Sequence, residues 1–87
     1  PHMGWNQVSF PKYHPLFDGI PDASFFYFAN SYYAVPSDDS LIIGSTEYGI
    51  SFCSAIGNNN LVATQFHPEK SGIKGLTIYR NFVNLQH

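Results

Sequence analysis

The residues of this chain best suited to chemistry are a histidine and a glutamate two positions apart, in the stretch QFHPEKSG at residues 65–72. A histidine can take a proton from a nucleophile, and a nearby carboxylate can fix its tautomer and stabilise the imidazolium that forms. Pro68 lies between His67 and Glu69, and its fixed φ angle stiffens the short link. The alternative is an ordinary exposed turn that holds a histidine and a glutamate, and these three residues alone favour that alternative.

A nucleophile for this histidine is not evident in the sequence. Cys53 is the only cysteine, and it lies within a predicted strand among small residues. It lacks the sharp glycine-flanked turn, and the cationic neighbour or helix N-terminus, that activate a thiol. We interpret Cys53 as buried and unreactive. The serines do not occur in a G-x-S-x-G context either, so the nucleophile is expected outside this chain.

Composition excludes several other functions. Four Lys or Arg against six Asp or Glu give a net charge of −2 without a basic cluster, so nucleic-acid binding lacks its electrostatic footprint. The histidines show no metal-binding spacing and the glycines no phosphate-binding pattern, so neither a metal nor a cofactor is expected. No run of about 18 apolar residues and no leader is present, so no membrane span is expected. The single cysteine fits a reducing compartment, here the cytoplasm.

The elements that must position His67 are predicted from turn residues and hydrophobic periodicity. Hydrophobic residues make up 44 % and aromatic residues 17 % of the 87 residues, which fits one globular domain. Strands are predicted at 5–10, in the aromatic run 25–35 and at 61–66. The stretch 41–57 is predicted to form two strands, or one strand bent around Gly44 to Gly49. Turn-rich segments separate them at 12–24, 36–40 and 57–60, the last of which (GNNN) predicts a hairpin. His67 then follows the last strand.

After His67 the hydrophobic period changes from two to between three and four. The residues that carry the new period are Ile73, Leu76, Tyr79, Phe82 and Val83. This spacing predicts an amphipathic helix, with Ser71 as a suitable N-cap. The fold class is therefore α/β, with mostly antiparallel strands followed by one C-terminal helix. His67 and Glu69 lie on the strand-to-helix turn, where α/β folds commonly place their chemistry.

Four motifs in order resemble a known family: PHMGWN at 1–6, FFYFANSYYAV at 25–35, TEYG at 46–49 and QFHPEKSG at 65–72. They resemble the C-terminal part of the glutaminase subunits of imidazole glycerol phosphate synthases, which are triad (class I) glutamine amidotransferases. FHPEKS indicates the broad superfamily, and PHMGWN with the aromatic strand narrows the resemblance to this subunit. It spans essentially all 87 residues. It implies that residues 1–87 are the C-terminal part of a single amidotransferase domain, without the N-terminal part that carries the nucleophile.

The resemblance also implies a reaction and a partner. Members of the family hydrolyse glutamine to glutamate and ammonia through a cysteinyl thioester. The ammonia passes to a (β/α)₈ cyclase subunit, which uses it in histidine biosynthesis. His67 matches the family's general base, and Glu69 matches the acid that orients it.

Further residues match by position. Tyr27 and Ser31 match residues around the bound glutamine. The residues that match the cyclase-facing side of the family are Trp5, Asn6 and Lys70. At Asn30 the family usually has histidine, which leaves open a divergent branch that supplies ammonia to another synthase.

Three hypotheses stay open at this point. In the first, the chain is part of an amidotransferase subunit and is inactive alone, because the cysteine lies upstream. In the second, it is a separate small protein that keeps this half of the fold as a binding or assembly module. In the third, it is one half of a split enzyme whose other chain supplies the cysteine. In the first case, bared sheet edges and apolar surface favour self-association or a partner.

Overall fold

The computed structural model describes residues 2–30, 35–58 and 61–85. Within these ranges, strands come first and a helix ends the chain. The elements are β1 (His2–Val8), β2 (Ser24–Asn30), β3 (Ile42–Tyr48), β4 (Ile50–Gly57), β5 (Val62–Thr64) and α1 (Gly72–Leu85). Short 3₁₀ turns occur at Pro15–Phe17, Asp39–Leu41 and Pro68–Lys70. The predicted α/β class, with mostly antiparallel strands and one C-terminal helix, is confirmed.

The strands form two antiparallel sheets that are connected at their edges. β1 pairs with β2, and β3, β4 and β5 pair in sequence order. Ser9 and Ser45 exchange both main-chain hydrogen bonds, with N···O distances of 2.7 and 2.8 Å, which connects the end of β1 to β3. An isolated bridge joins Phe28 of β2 to Phe66. Because His67 follows Phe66, this bridge brings the histidine beside β2.

Aromatic side chains from β2 and from the segment after β5 form the centre of the core. Phe26 and Phe28 are fully buried, and Phe66 is almost so. The Phe66 ring centroid lies 4.5 Å from that of Phe26 and 5.9 Å from that of Phe28. Buried rings contribute large apolar areas, and tilted or edge-on pairs add to their attraction. The residue immediately before His67 is therefore anchored in the core.

Most predicted elements are confirmed with shifted bounds. The hairpin predicted at 57–60 is present, since β4 and β5 pair antiparallel from Gly57 and Val62. The turn at 36–40 leads into the 3₁₀ turn Asp39–Leu41, where the Asp38 carboxylate accepts a hydrogen bond from the Ser40 N–H. The strand predicted at 25–35 is described from Ser24 to Asn30. β2 ends at Asn30 and Val35 lies outside any strand, while residues 31–34 lie outside the described residues.

The side of α1 that packs against the rest of the described chain is not the side that carries the periodic apolar residues. Its buried residues are Gly75 and Ile78. The apolar residues that predict the helix are 46 % to 82 % exposed: Ile73, Leu76, Tyr79, Phe82 and Val83. On the packed side, Asn81 donates from Nδ2 to the carbonyls of Leu16 and Asp18 at 2.8 and 2.9 Å. The periodicity thus identifies the helix, but Gly75, Ile78 and Asn81, which are outside the predicted apolar set, make its contacts.

Gly75 allows the helix to lie directly against the turn that carries His67. A Cβ atom at this position would overlap the carbonyl group of Pro68. Main-chain atoms cannot move aside as the tip of a flexible side chain can, so the overlap would separate the helix from the turn. Glycine costs about 1 kcal/mol relative to alanine inside a helix. The close contact with Pro68 is the physical reason for accepting that cost here.

We expect Gly75→Ala to lower the free energy of unfolding by about 1–3 kcal/mol, because overpacking outweighs the gain in helix propensity. Urea denaturation followed by circular dichroism measures the change. Thr77→Ala is the matched control, since it lies two residues further along α1, where its hydroxyl bonds only within the helix, to the Ile73 carbonyl. That variant should be as stable as the parent or slightly more so. A Gly75→Ala variant with the same free energy of unfolding as Thr77→Ala would show that the helix and the turn separate without loss of stability.

Candidate active site

The structure brings His67 and Glu69 into direct contact. His67 follows the core residue Phe66, and Glu69 lies in the 3₁₀ turn Pro68–Lys70, with Pro68 at its first position. Nδ1 of His67 lies 2.9 Å from Oε2 of Glu69, and the two side chains are 34 % and 51 % exposed. The ionised carboxylate can only accept, so Nδ1 carries the hydrogen and Nε2 of the neutral ring keeps a lone pair. Within the described ranges no group bonds Nε2, which leaves it open to a substrate or nucleophile.

The electrostatics of this pair favour an ionised glutamate. The hydrogen bond from His67 lowers the pKa of Glu69 below its ordinary value, with smaller contributions from the charges of His67 and Lys70. Hydrogen bonding to the charged form of an acid is the physical cause. Glu69 thus stays a carboxylate across the physiological range. A carboxylate in this place can orient the imidazole and stabilise it when it is protonated.

The main chain of His67 is held by a closed set of hydrogen bonds, which we name the hydrogen-bond ring. The N–H of His67 donates to the carbonyl of Tyr27 at 2.8 Å. The N–H of Tyr27 donates to the Ser71 hydroxyl oxygen at 3.0 Å, and that hydroxyl donates to the carbonyl of His67 at 2.6 Å. Three residues from three parts of the chain thereby fix one another. The ring connects β2, the histidine and the start of α1.

Ser71 is the residue of this site that sequence reasoning placed correctly but interpreted incompletely. It precedes α1 as predicted, and it is 3 % exposed. Its hydroxyl, expected to cap the helix, bonds Tyr27 and His67 instead. The available signal was its position four residues after His67, because a compact turn returns residue i+4 to the neighbourhood of residue i.

Tyr27 also belongs to an exposed surface on the outer side of β1 and β2. This aromatic face consists of Met3, Trp5, Phe25 and Tyr27, of which Trp5 is 55 % exposed. Trp5 pairs with Tyr27 across the strands, and their rings meet edge to face with centroids 5.9 Å apart. Lys70 Nζ lies 5.9 Å from the Tyr27 ring centroid, in the range of a cation–π contact. The structure thus gathers Trp5, Tyr27 and Lys70 in one place.

Other predicted site residues lie elsewhere. Asn6 is on the opposite side of β1 from Trp5, because side chains alternate along a strand. Its Nδ2 donates to the main-chain carbonyl of Glu47 at 2.9 Å. Ser31 lies outside the described residues, and the preceding Asn30 is the last residue of β2.

Cys53 is buried, as predicted, at 7 % exposure in the middle of β4. Its thiol donates to the Ala55 carbonyl at 3.4 Å, and burial raises its pKa above the ordinary value. A thiol with a raised pKa forms little thiolate and is a poor nucleophile.

The ranges 2–30, 35–58 and 61–85 contain no group of three or more His, Cys, Asp or Glu side chains placed to hold a metal ion. Across those same ranges, no helix has the length and hydropathy required to cross a membrane.

Comparison with known proteins identifies the family. The sequence profile described as Glutamine amidotransferase class-I matches residues 1–85. Curated relatives named Imidazole glycerol phosphate synthase subunit HisH include those of Dehalococcoides mccartyi strain CBDB1, Moorella thermoacetica and Methanocaldococcus jannaschii. They are 55 %, 52 % and 56 % identical to this chain over 85 residues. This chain belongs to the class-I glutamine amidotransferase family.

These alignments cover a larger share of this chain than of its relatives. Each covers 98 % of this chain but only 42 %, 40 % and 43 % of the respective relatives. The chain therefore spans about two-fifths of the length of the curated relatives that it matches.

The lowered pKa of Glu69 predicts a pH-dependent contribution to stability. Because the pKa of Glu69 is lower in the folded state, its pair with His67 stabilises the fold above the ordinary glutamate pKa of about 4.3. That contribution is lost as the pH falls through the lowered folded pKa. We expect the stability difference between the parent and Glu69→Gln to be constant above this range and to vanish below it, in urea denaturation at a series of pH values. Glu47→Gln, an exposed carboxylate on β3, is the control. Equal acid dependence in both variants would contradict the assignment to the pair.

Proposed function

We propose that this member of the class-I glutamine amidotransferase family supplies the base and its orienting acid to a glutaminase. The complete protein would hydrolyse glutamine and pass the ammonia to a synthase partner in histidine biosynthesis. The observation that carries this proposal is the 2.9 Å contact between His67 Nδ1 and Glu69 Oε2, with Nε2 left open. The names of the relatives, each an imidazole glycerol phosphate synthase subunit, support the same reaction.

The proposed mechanism uses both ring nitrogens of His67. Nε2 takes the proton of a cysteine thiol, and the thiolate attacks the side-chain amide carbon of glutamine. The imidazolium, stabilised by Glu69 through Nδ1, then gives its proton to the departing nitrogen, which leaves as ammonia. Nε2 next takes a proton from water, which attacks the thioester, and the proton returns to the cysteine sulfur as glutamate leaves.

We assign the nucleophile to residues outside these 87. Cys53 is unsuited to the role, because its thiol is buried within β4 and its pKa is raised. In this proposal residues 1–87 are the C-terminal part of one amidotransferase domain, and the N-terminal part carries the cysteine. The share of about two-fifths of the relatives' length supports this division. The chain alone is then inactive, and the place of action is the cytoplasm.

Tyr27 and Ser31 are proposed to border the bound glutamine, and the aromatic face to meet the partner. Tyr27 is next to His67 through the hydrogen-bond ring, which supports the first role. The clustering of Trp5 and Lys70 around Tyr27 supports a common surface for a (β/α)₈ cyclase partner. Exposed tryptophan and tyrosine side chains are typical centres of protein interfaces. Asn6 would act in support of that surface, by fixing β1 to β3 through Glu47.

The proposed base is tested in a chimaeric subunit. In it, the 85 matched residues of this chain replace those of the Dehalococcoides mccartyi CBDB1 subunit, which is 55 % identical over that length. With the recipient's cyclase subunit present, we expect glutamine hydrolysis, and His67→Ala should lower kcat by about 10²- to 10⁴-fold. Glutamate release measures the rate.

The control for this prediction is His14→Ala. His14 is buried, and its ring bonds the Asn58 carbonyl at 2.7 Å and the Leu16 N–H at 3.1 Å. Its loss should lower stability but leave kcat per folded molecule within a few-fold of the parent. A His67→Ala variant as active as His14→Ala, or a parent chimaera without glutaminase activity, would refute the proposed function.

The proposed partner surface predicts a second effect. Trp5→Ala removes the largest ring of the aromatic face, and we expect it to weaken binding of the cyclase subunit to the chimaera by about tenfold or more, the usual loss at an interface centre. Isothermal titration calorimetry measures the Kd. Tyr13→Ala removes a more exposed ring, at 73 % exposure, that is outside the aromatic face. It should leave the Kd unchanged. The same Kd for both variants would place the partner elsewhere.

A further inference from the structure

We propose that Ser71 is a positioning residue of this site, which acts by holding the main chain of His67 against β2. The inference rests on the proposed function for its effect on rate. It rests on the hydrogen-bond ring for its effect on geometry. Neither the His67–Glu69 contact nor the aromatic face holds the main chain of His67, and we assign that role to the buried Ser71 hydroxyl.

The hydroxyl of Ser71 acts both as a hydrogen-bond acceptor and as a hydrogen-bond donor. As an acceptor it takes the N–H of Tyr27 at 3.0 Å, and as a donor it bonds the carbonyl of His67 at 2.6 Å. A side chain without both functions cannot complete the ring. Ser71 is 3 % exposed, so water has little access to replace it.

The contacts of the neighbouring groups show what the loss of this hydroxyl would change. The carbonyl of His67 would keep its hydrogen bond from the Lys70 N–H at 3.1 Å. The N–H of Tyr27 points away from β1, and within the described residues it donates to the Ser71 hydroxyl. Leaving that N–H without a hydrogen-bond partner costs free energy. The turn then regains this energy only by shifting to expose or re-pair that group.

Such a shift moves the imidazole relative to Glu69 and to the nucleophile. The contacts that remain with β2 are the bond from the His67 N–H to the Tyr27 carbonyl at 2.8 Å and the bridge of the preceding Phe66 to Phe28. These contacts hold the chain up to the N–H of His67, whereas the Ser71 hydroxyl also holds its carbonyl and so restrains rotation of the following peptide. Proton transfer is sensitive to displacements of this size, since about 1 Å of misplacement can cost as much as 10²-fold in rate.

The decisive variants are Ser71→Ala and Ser54→Ala in the chimaeric subunit. Both remove one buried serine hydroxyl, and Ser54 bonds Thr46 at 2.9 Å within the β3–β4 pair. Two quantities are measured for each variant: kcat and KM for glutamine, and the pKa of Glu69 from the ¹³C carboxyl shift, assigned with Glu69→Gln. The pKa requires no turnover, so it tests the positioning even if the proposed function fails.

For Ser71→Ala we expect kcat to fall by about 10- to 100-fold with KM within a few-fold of the parent. The pKa of Glu69 should rise toward its ordinary value, because its largest lowering cause is the bond from His67. Ser54→Ala should change neither. An unchanged Glu69 pKa in folded Ser71→Ala would overturn the proposal. Equal losses of kcat in both variants would overturn it too, because they would reflect general destabilisation.

Ser71→Thr and Ser71→Cys keep the proposal testable if the alanine variant does not fold. Threonine retains a full hydroxyl, so it should restore the lowered pKa of Glu69 and most of kcat. Cysteine offers a weak donor and acceptor of similar size, so both quantities should fall between those of serine and alanine. A cysteine variant identical to the parent in both measurements would show that the hydroxyl has no positioning role.

Discussion

The ring of hydrogen bonds among Tyr27, His67 and Ser71 is the constraint on which the rest of the site depends. A strand-to-helix turn has few hydrogen bonds of its own, and an exposed turn is mobile unless contacts with the rest of the protein restrain it. Here the ring fixes the histidine's main chain at both its N–H and its carbonyl. The imidazole can then meet Glu69 without a further side-chain contact. Pro68 restricts the one residue between them.

Packing on both sides of the turn maintains this arrangement. On one side Phe66 is inserted among the rings of β2, so the chain enters the turn from a fixed point. On the other side Gly75 lets α1 lie against the Pro68 carbonyl, so the chain leaves the turn without room to move. Close-packed interiors resist small displacements. The hydrogen-bond ring and these two contacts therefore act together, and each is weaker without the others.

Much of this organisation could be read from the sequence, and the remainder could not for definite reasons. Turn residues and periodicity predicted the succession of strands along the chain, the GNNN hairpin and the helix, and the mid-strand context of Cys53 predicted its burial, because these depend on local patterns. The helix was found by its apolar residues from Ile73 to Val83, yet these are the residues it leaves exposed within the described chain. Periodicity reports that a helix has an apolar side, but not which element covers it. The bridge between Phe28 of β2 and Phe66, after β5, depends on long-range pairing, which local sequence patterns do not report.

The use of main-chain atoms in Tyr27 has a consequence for how such a protein can evolve. The hydrogen-bond ring takes only the peptide groups of this residue, whereas its phenol ring lies on the aromatic face, beside Trp5. Any residue except proline that keeps the strand geometry supplies the same two peptide groups. Substitutions on the outer side of the strand can therefore retune recognition without disturbing the imidazole. Selection can therefore act separately on the position of the imidazole and on recognition by the aromatic face, although Tyr27 contributes to both.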